Sequence, residues 1–266
     1  MISFSSQIPF KEALSSLRSK GLLPTSLSSA DMQKLDAEIR SRSLFSARTT
    51  NAGYLQEVKD QVDDLLQGET NEATMRLKLK ESLRAISYDP VQSGVEPGTL
   101  KDLSSDPRLN LIIQMQSDTA LGYGKFIRDQ DPAALLAAPA QELFRAEARK
   151  EPRNWPQRWM DAGGQFYDGR MIAPKNAEIW TEISAFGQPY PPFDYGSGMW
   201  VRDILRTEAI ALGIIAPDEM VEPSNIQTFN TGFQPSIAGL DPDLQQAVLA
   251  SMGDMVEFIG GVLHLK

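Results

Sequence analysis

The stretch that most restricts how this chain can fold is residues 153–204, RNWPQRWMDAGGQFYDGRMIAPKNAEIWTEISAFGQPYPPFDYGSGMWVRDI. It holds all four tryptophans, Trp155, Trp159, Trp180 and Trp200, together with a run of prolines and a Tyr-Asp-Gly turn. Each tryptophan brings a large apolar area that is stable only when buried. Proline and glycine meanwhile break up long regular elements. The stretch therefore reads as a compact unit with a fixed, irregular path rather than as a linker. It contains neither His nor Cys, so the commonest catalytic and metal-binding side chains are missing from it.

The rest of the composition narrows the chemistry further. A chain of 266 residues makes one large or two small domains. There is no cysteine, which excludes disulfides, thiolate zinc sites and a cysteine nucleophile. The only histidine is His264, so a Ser-His-Asp triad would have to be built on the last residues. No apolar run reaches the roughly 20 residues of a membrane span. The opening residues, MISFSSQIPFKEAL, lack a basic region followed by a long apolar core, so a secretory leader is not expected. Net charge is −9 but unevenly placed. Residues 1–50 carry seven basic and four acidic side chains, residues 145–158 five and two, and residues 217–266 one and seven. A protein that coats nucleic acid non-specifically is usually basic overall, so any such contact here is expected to be local.

The periodicity is mainly helical. Phe10, Ala13, Leu14 and Leu17 fall on one helix face that Gly21 ends, and Ser28 or Ser29 can cap a second helix carrying Leu35 and Ile39. Tyr54, Leu55, Val58, Val62, Leu65 and Leu66 keep helical spacing up to Gly68. Met75, Leu79, Leu83 and Ile86 form the next stripe. Residues 89–107, rich in Pro, Gly, Ser and Asp, read as a linker or long loop. A helix is expected from about Arg108 to Phe126, with Leu109, Ile112, Ile113 and Ala120 facing inward and small residues at Gly122 and Gly124 allowing close approach. Asp131 and Pro132 open another helix, which Pro139 interrupts or restarts before it runs on to about Lys150. Gln157 to Asp161 reads as a strand, and Gln165 to Ala173 as a hairpin turning at Asp168-Gly169. Glu178 to Phe186 reads as a short helix, Pro189, Pro191 and Pro192 as an extended segment, and Thr207 as the cap of a helix ended by Gly213. After an acidic loop, Asp241 caps a last helix, with Leu244, Val248, Met252, Met255 and Ile259 on one face. The fold class is α+β and predominantly helical: a helical region over 1–90, a Trp-rich core with a small hairpin or sheet over 91–216, and an acidic loop and helix over 217–266.

The order of these pieces resembles the Mu F-like minor head proteins of tailed bacteriophages, the phage head morphogenesis family. Ile8-Pro9-Phe10-Lys11-Glu12-Ala13 resembles the opening helix of that family, with Lys20 and Pro24-Thr25 following in place. Residues 44–86 resemble its paired helices around a turn, here Gly68-Glu69-Thr70. Arg108, Ile112-Ile113, Ala120 and Gly122 or Gly124 match its next helix. Trp159-Met160-Asp161-Ala162-Gly163 resembles its aromatic strand, and Tyr167-Asp168-Gly169-Arg170-Met171-Ile172-Ala173-Pro174 its hairpin, with Trp180 and Tyr190-Pro191-Pro192 after it. The likeness covers about residues 8–204. Many family members carry histidine before the hairpin and a Cys-x-Cys pair after the double proline. Here Phe193 to Val201, FDYGSGMWV, stands instead, so no metal or thiol role carries over. The resemblance implies a structural protein of the virion, located at the head or portal vertex after assembly in the host cytoplasm. Its partners would be portal or major capsid subunits, and no enzymatic activity, cofactor or membrane contact is implied. A head–tail connector component is the alternative within the same setting.

Several residues admit two readings. The tryptophans serve either as partner anchors, since Trp and Arg dominate interface hot spots, or as core. Trp159 and Trp180 fit the core better. Trp155, beside Arg149, Lys150, Arg153 and Arg158, is the best interface candidate, with Trp200, Phe10 and Leu14 as further ones. The same basic-aromatic cluster could instead touch the phosphates of packaged DNA. Asp161, Asp168, Asp194 and Asp203 are the residues on which a metal-dependent hydrolase would have to be built. Such chemistry needs carboxylates a few ångströms apart, which nothing in their spacing ensures.

Overall fold

A computed structural model of the chain describes residues 10–35, 39–40, 43–224, 237, 240, 242–252, 256–260 and 262–265. The fold is mixed α+β and mainly helical, as the periodicity predicts. It divides into two compact units, Met1–Ala120 with Gln227–Lys266, and Leu121–Ile226.

In the first unit, α1 (Lys11–Ser19) buries Ala13, Leu14 and Leu17. β1 (Gly21–Leu22) pairs in parallel with β2 (Ser43–Leu44). Between them α2 (Ser29–Lys34) starts where the Ser28 side chain accepts the Asp31 backbone N–H. This helix is shorter than the sequence suggests: Leu35 caps it, and Leu35 and Ile39 still reach the core from outside it. α3 (Ala52–Gln67) is capped by Asn51 and closed by Gly68 at φ 78, a left-handed conformation that glycine adopts without strain. α4 (Glu72–Ala85) buries Met75, Leu79 and Leu83, whereas Ile86 is exposed. Two interactions pin α1 to α3. Arg18 forks onto Asp63 at 2.6 and 2.8 Å, and Lys59 Nζ donates to the carbonyls of Arg18 in the last turn and of Lys20, the C-cap residue.

The long loop does not separate two domains. α5 (Asp106–Asp129) is tied to what precedes it: Arg108 Nη2 donates to Ser46 Oγ and the Ala47 carbonyl, Gln116 to the Phe45 carbonyl, and Lys80 pairs with Asp106 at 2.6 Å. Inside the loop, Asp102 accepts from the Gly98 and Ser104 backbones, and the Tyr88 hydroxyl accepts the Leu103 N–H. A division near residue 90 is thus replaced by one after Ala120, inside α5. Composition shows that a segment is loop-like; only its partners show which side it belongs to. The C-terminal residues also join this unit rather than standing apart. α10 (Pro242–Met252) adds Leu244 and Val248 to a cluster with Leu23, Met32, Leu35 and Ile39. β7 (Val256–Ile259) and β8 (Val262–Leu265) then form a hairpin. Ile259 is therefore on a strand, not on the face of the last helix. The expected cap Asp241 and the face residue Met255 lie outside the described residues, as do Ile8 and Pro9.

The second unit is built on a four-stranded antiparallel sheet, β4 (Phe166–Tyr167), β5 (Arg170–Pro174), β3 (Ala140–Arg145) and β6 (Met199–Ile204), in the order β4-β5-β3-β6. α6 (Pro132–Ala137) is capped by Asp131 as expected. Two segments take the opposite kind of element from the sequence reading. Residues 140–145 are a central strand rather than a resumed helix, because they pair on both sides: Glu142 stands opposite Ile172 and opposite Arg202. Tertiary pairing overrides the helix propensity of QELFR. Conversely, the predicted strand at Gln157–Asp161 is helix α7 (Trp155–Asp161). The Asn154 side chain accepts the Gln157 N–H, Pro156 lies in the first turn, and Trp155 and Trp159 are both buried, four residues apart on one helix face.

The hairpin forms as read. Asp168 and Gly169 both take positive φ, 49 and 74, the pair of left-handed residues that a tight two-residue turn requires. α8 (Ile179–Glu182) is shorter than expected. In α9 (Arg206–Ala211) Thr207 lies inside the helix instead of capping it, and Leu205 occupies the cap position without a side-chain bond. The sheet has two apolar faces. Leu143, Ala173 and Val201 point to the tryptophans, while Ala140, Ile172 and Ile204 pack against Ala209 and Ile215.

Candidate functional site

On the tryptophan side of the sheet, Trp159 and Trp180 are fully buried with ring centroids 5.3 Å apart, and Phe193 stacks on Trp180 at 6.0 Å. Their indole N–H groups are spent on backbone: Trp159 Nε1 donates to the Gln165 carbonyl and Trp180 Nε1 to the Pro174 carbonyl, each at 2.8 Å. Both indoles thereby fix the two ends of the hairpin.

Trp155 is 1% exposed and belongs to the same cluster. The interface role that its basic neighbours suggested is therefore not available to its ring, because a buried ring cannot meet a partner. Arg158 covers it, with the guanidinium 4.8 Å from the ring centroid. Leu14 is likewise buried in the first unit, while Phe10 and Trp200 are half-buried. Trp200 stands opposite Phe144 on the other face of the sheet, so it is the one tryptophan with surface to offer.

Above Trp155 four arginines meet the loop 194–198. Arg145 donates to the carbonyls of Ser197 and Arg153. Arg153 donates to the Tyr195 carbonyl and pairs with Asp194 at 3.4 Å, and Arg158 reaches the same carboxylate at 3.0 Å. Arg149 pairs with Glu147 at 2.6 Å, and the Glu147 N–H in turn binds the Gly198 carbonyl. Gly198 is required there: a Cβ would sit 2.5 Å from the Glu147 carbonyl oxygen. Sequence reading found Arg149, Arg153 and Arg158 but not Arg145, nor that Asp194 would serve two of them. The basic run was visible; the acceptor loop lies some 40 residues further on.

The four aspartates are not assembled. Asp161 bonds Gln157 on the exposed side of α7, Asp168 makes the hairpin turn, and Asp194 belongs to the arginines. Asp203 sits in a separate tetrad. Lys125 bridges Asp129 and Asp203 at 2.5 and 2.7 Å, and the buried Lys175 reaches the same two carboxylates at 3.3 and 3.1 Å. Burial alone would raise the Asp203 pKa, but the two lysines outweigh it and hold the group below its ordinary value. The tetrad borders a small recess closed by Tyr190 and Pro191, with Gly122 and Gln141 on its walls. Among the described residues no group of three or more His, Asp or Glu side chains could hold a metal ion.

On the opposite face Glu142 is clamped by two arginines. Its Oε2 accepts from Arg170 Nε and Nη2 at 2.9 and 2.6 Å and from Arg202 Nε at 2.8 Å, and Oε1 accepts from Arg202 Nη2. Arg170 also reaches Glu208 on α9 at 2.6 Å. Desolvation would raise the Glu142 pKa; the hydrogen bonds from Arg202 and Arg170 reverse that and keep the carboxyl below the usual range. This cross-strand clamp was not foreseen, because its members are 28 and 60 residues apart.

Comparison of the chain with protein-family models, with curated proteins and with solved structures finds no match.

Proposed function

We propose that the chain is a structural protein of a tailed-phage virion, of the minor head type, that binds portal or capsid subunits during head assembly. The observation that carries this reading is the condition of the segment most similar to the head morphogenesis family. Tyr167 to Pro174 forms a tight hairpin, and the indoles of Trp159 and Trp180 are bonded to its two flanks. The residues that carry the resemblance are thus framework residues. They give the unit a rigid sheet with clamped side chains, as a component of a repeated assembly needs. Of the four aspartates that could have suggested catalysis, Asp194 is engaged by arginines and Asp203 by lysines, and Asp161 and Asp168 lie apart from them. Surface for a neighbour is offered by the half-buried Trp200 and by exposed side chains such as Met160 and Phe166.

The test is quantitative mass spectrometry of purified particles, with copy number normalised to the portal. A few to about a dozen copies supports the reading. Absence from both mature particles and assembly intermediates overturns it.

A further inference from the structure

Residues 145–158 carry five basic and two acidic side chains, and the facing loop 194–198 adds one acid, Asp194. The surface is therefore left with two uncompensated positive charges in a chain whose net charge is −9. The way that charge is held matters more than its amount. Arg145 is fixed by two carbonyls, which orient a guanidinium without neutralising it. Arg153 and Arg158 share a single carboxylate, and Arg153 is also held by the Tyr195 carbonyl. Lys150, next to Arg149 in sequence, is exposed. A guanidinium offers five N–H donors, so each of these arginines keeps free edges while its position is already fixed. The rotamer entropy that a flexible lysine patch would lose on binding is largely spent beforehand.

We infer that this arginine-rich surface binds the phosphodiester backbone of nucleic acid, without reading bases. One feature favours that ligand over an acidic protein segment. The groups are forks, which match phosphate and carboxylate oxygens alike, so the discrimination lies elsewhere. No exposed aromatic or large aliphatic side chain lies among residues 145–158 to anchor a peptide, the one large ring there, Trp155, being buried under Arg158. Trp155 is covered and the half-buried Tyr195 ring of the facing loop is packed edge-on against Phe186 at 4.8 Å, so the contact inferred is to backbone. It follows that duplex and single strand, and any sequence, bind alike. This inference does not depend on the head-protein reading, since it rests on the charge and geometry of this arginine surface alone.

The experiment uses the full chain and a fluorescein-labelled 30-bp duplex of random sequence, with anisotropy titrations at 50, 100 and 200 mM NaCl. With two to four phosphates engaged, affinity falls about tenfold to a hundredfold across that range. Lys150→Glu, which leaves the arginine network intact, and Arg145→Gln should each weaken binding and flatten the salt dependence, by about one counterion for Arg145→Gln. Circular dichroism melts identify any variant that loses its fold; Lys150→Glu alters only an exposed side chain and keeps the test decisive. An unlabelled single strand should compete about as well as an unlabelled duplex. The inference is overturned by absence of binding at 50 mM NaCl, by affinity unchanged in Lys150→Glu, or by a poly-glutamate peptide that displaces the duplex at lower charge concentration than DNA does. The last result would mark an acidic protein partner instead.

Discussion

Gly122 is the position where a single methyl group gives the sharpest test of the packing. It lies in the second half of α5, and a Cβ built on it would fall 1.9 Å from the Pro191 carbonyl oxygen and 2.8 Å from its carbon. Contacts of Cβ atoms below 3.0 Å are essentially never seen, so in Gly122→Ala the helix or the Pro191 loop must withdraw by more than 1 Å, the difference between 3.0 and 1.9. The loop resists. Gln188 Nε2 donates to the carbonyls of Tyr190 and Pro192, and the Tyr190 ring packs on Tyr123 and Phe126 at 5.4 and 5.5 Å. Two effects compete. Alanine is favoured over glycine inside a helix by about 1 kcal/mol. Overpacking against backbone that cannot yield costs about 3 kcal/mol. The clash wins, and the net loss is on the order of 2 kcal/mol. All four tryptophans lie in the second unit, so Trp fluorescence during urea unfolding reports on that unit alone. The midpoint should drop by roughly 0.7–2 M, for a slope of about 1–3 kcal/mol/M. A variant as stable as the natural chain, or more stable by the helix-propensity gain, would refute the close approach of α5 to Pro191.

Further outcomes follow from the buried clusters. Trp159→Ala should cost about 3–5 kcal/mol, read by the same fluorescence assay; a loss under 1 kcal/mol would mean that the hairpin is not fixed by this indole. Trp155→Ala should also lower stability, whereas a surface anchor would leave the melt unchanged. The depressed Glu142 carboxyl contributes stability that is complete above the ordinary glutamate value of roughly 4.3 and is lost as pH falls through its lower folded value. Glu142→Gln should therefore lower the melting temperature at pH 7 and make the curve flatter below pH 4.5. An unchanged acid limb would remove the clamp from the account. Lys20 has the opposite sign. Burial first, and the neighbouring Lys59 second, lower it to about 8, so its folded charged form is unfavourable at neutral pH and the penalty fades between about 8 and the unfolded value near 10.4. Circular dichroism melts should show stability rising from pH 8 to 9.5 in the natural chain, and a flatter profile with higher stability at pH 7 in Lys20→Met.

Local rules fixed a good part of this architecture. Asp168-Gly169 demanded a tight turn because both residues tolerate positive φ, and Ser28, Gly68 and Asp131 marked helix ends through bonds made within a few residues. The stripes Ala13-Leu14-Leu17 and Met75-Leu79-Leu83 faced the core because a 3.6-residue period leaves them no other side. The absence of cysteine and the single histidine likewise bounded the chemistry before any geometry was known. What tertiary structure alone decided are the properties that depend on a distant partner. Residues 140–145 have helix-forming side chains and became a central strand because β5 and β6 satisfy their backbone on both sides. Trp155 looked like an anchor from its basic neighbours and is core because Arg158 folds over it. Arg145, Arg153 and Arg158 acquire one shared acceptor loop, and Glu142 two arginines, across separations that no period or motif encodes. Local sequence carries dihedral preference and amphipathic period; the pairing of charges between remote segments is set by where packing brings them.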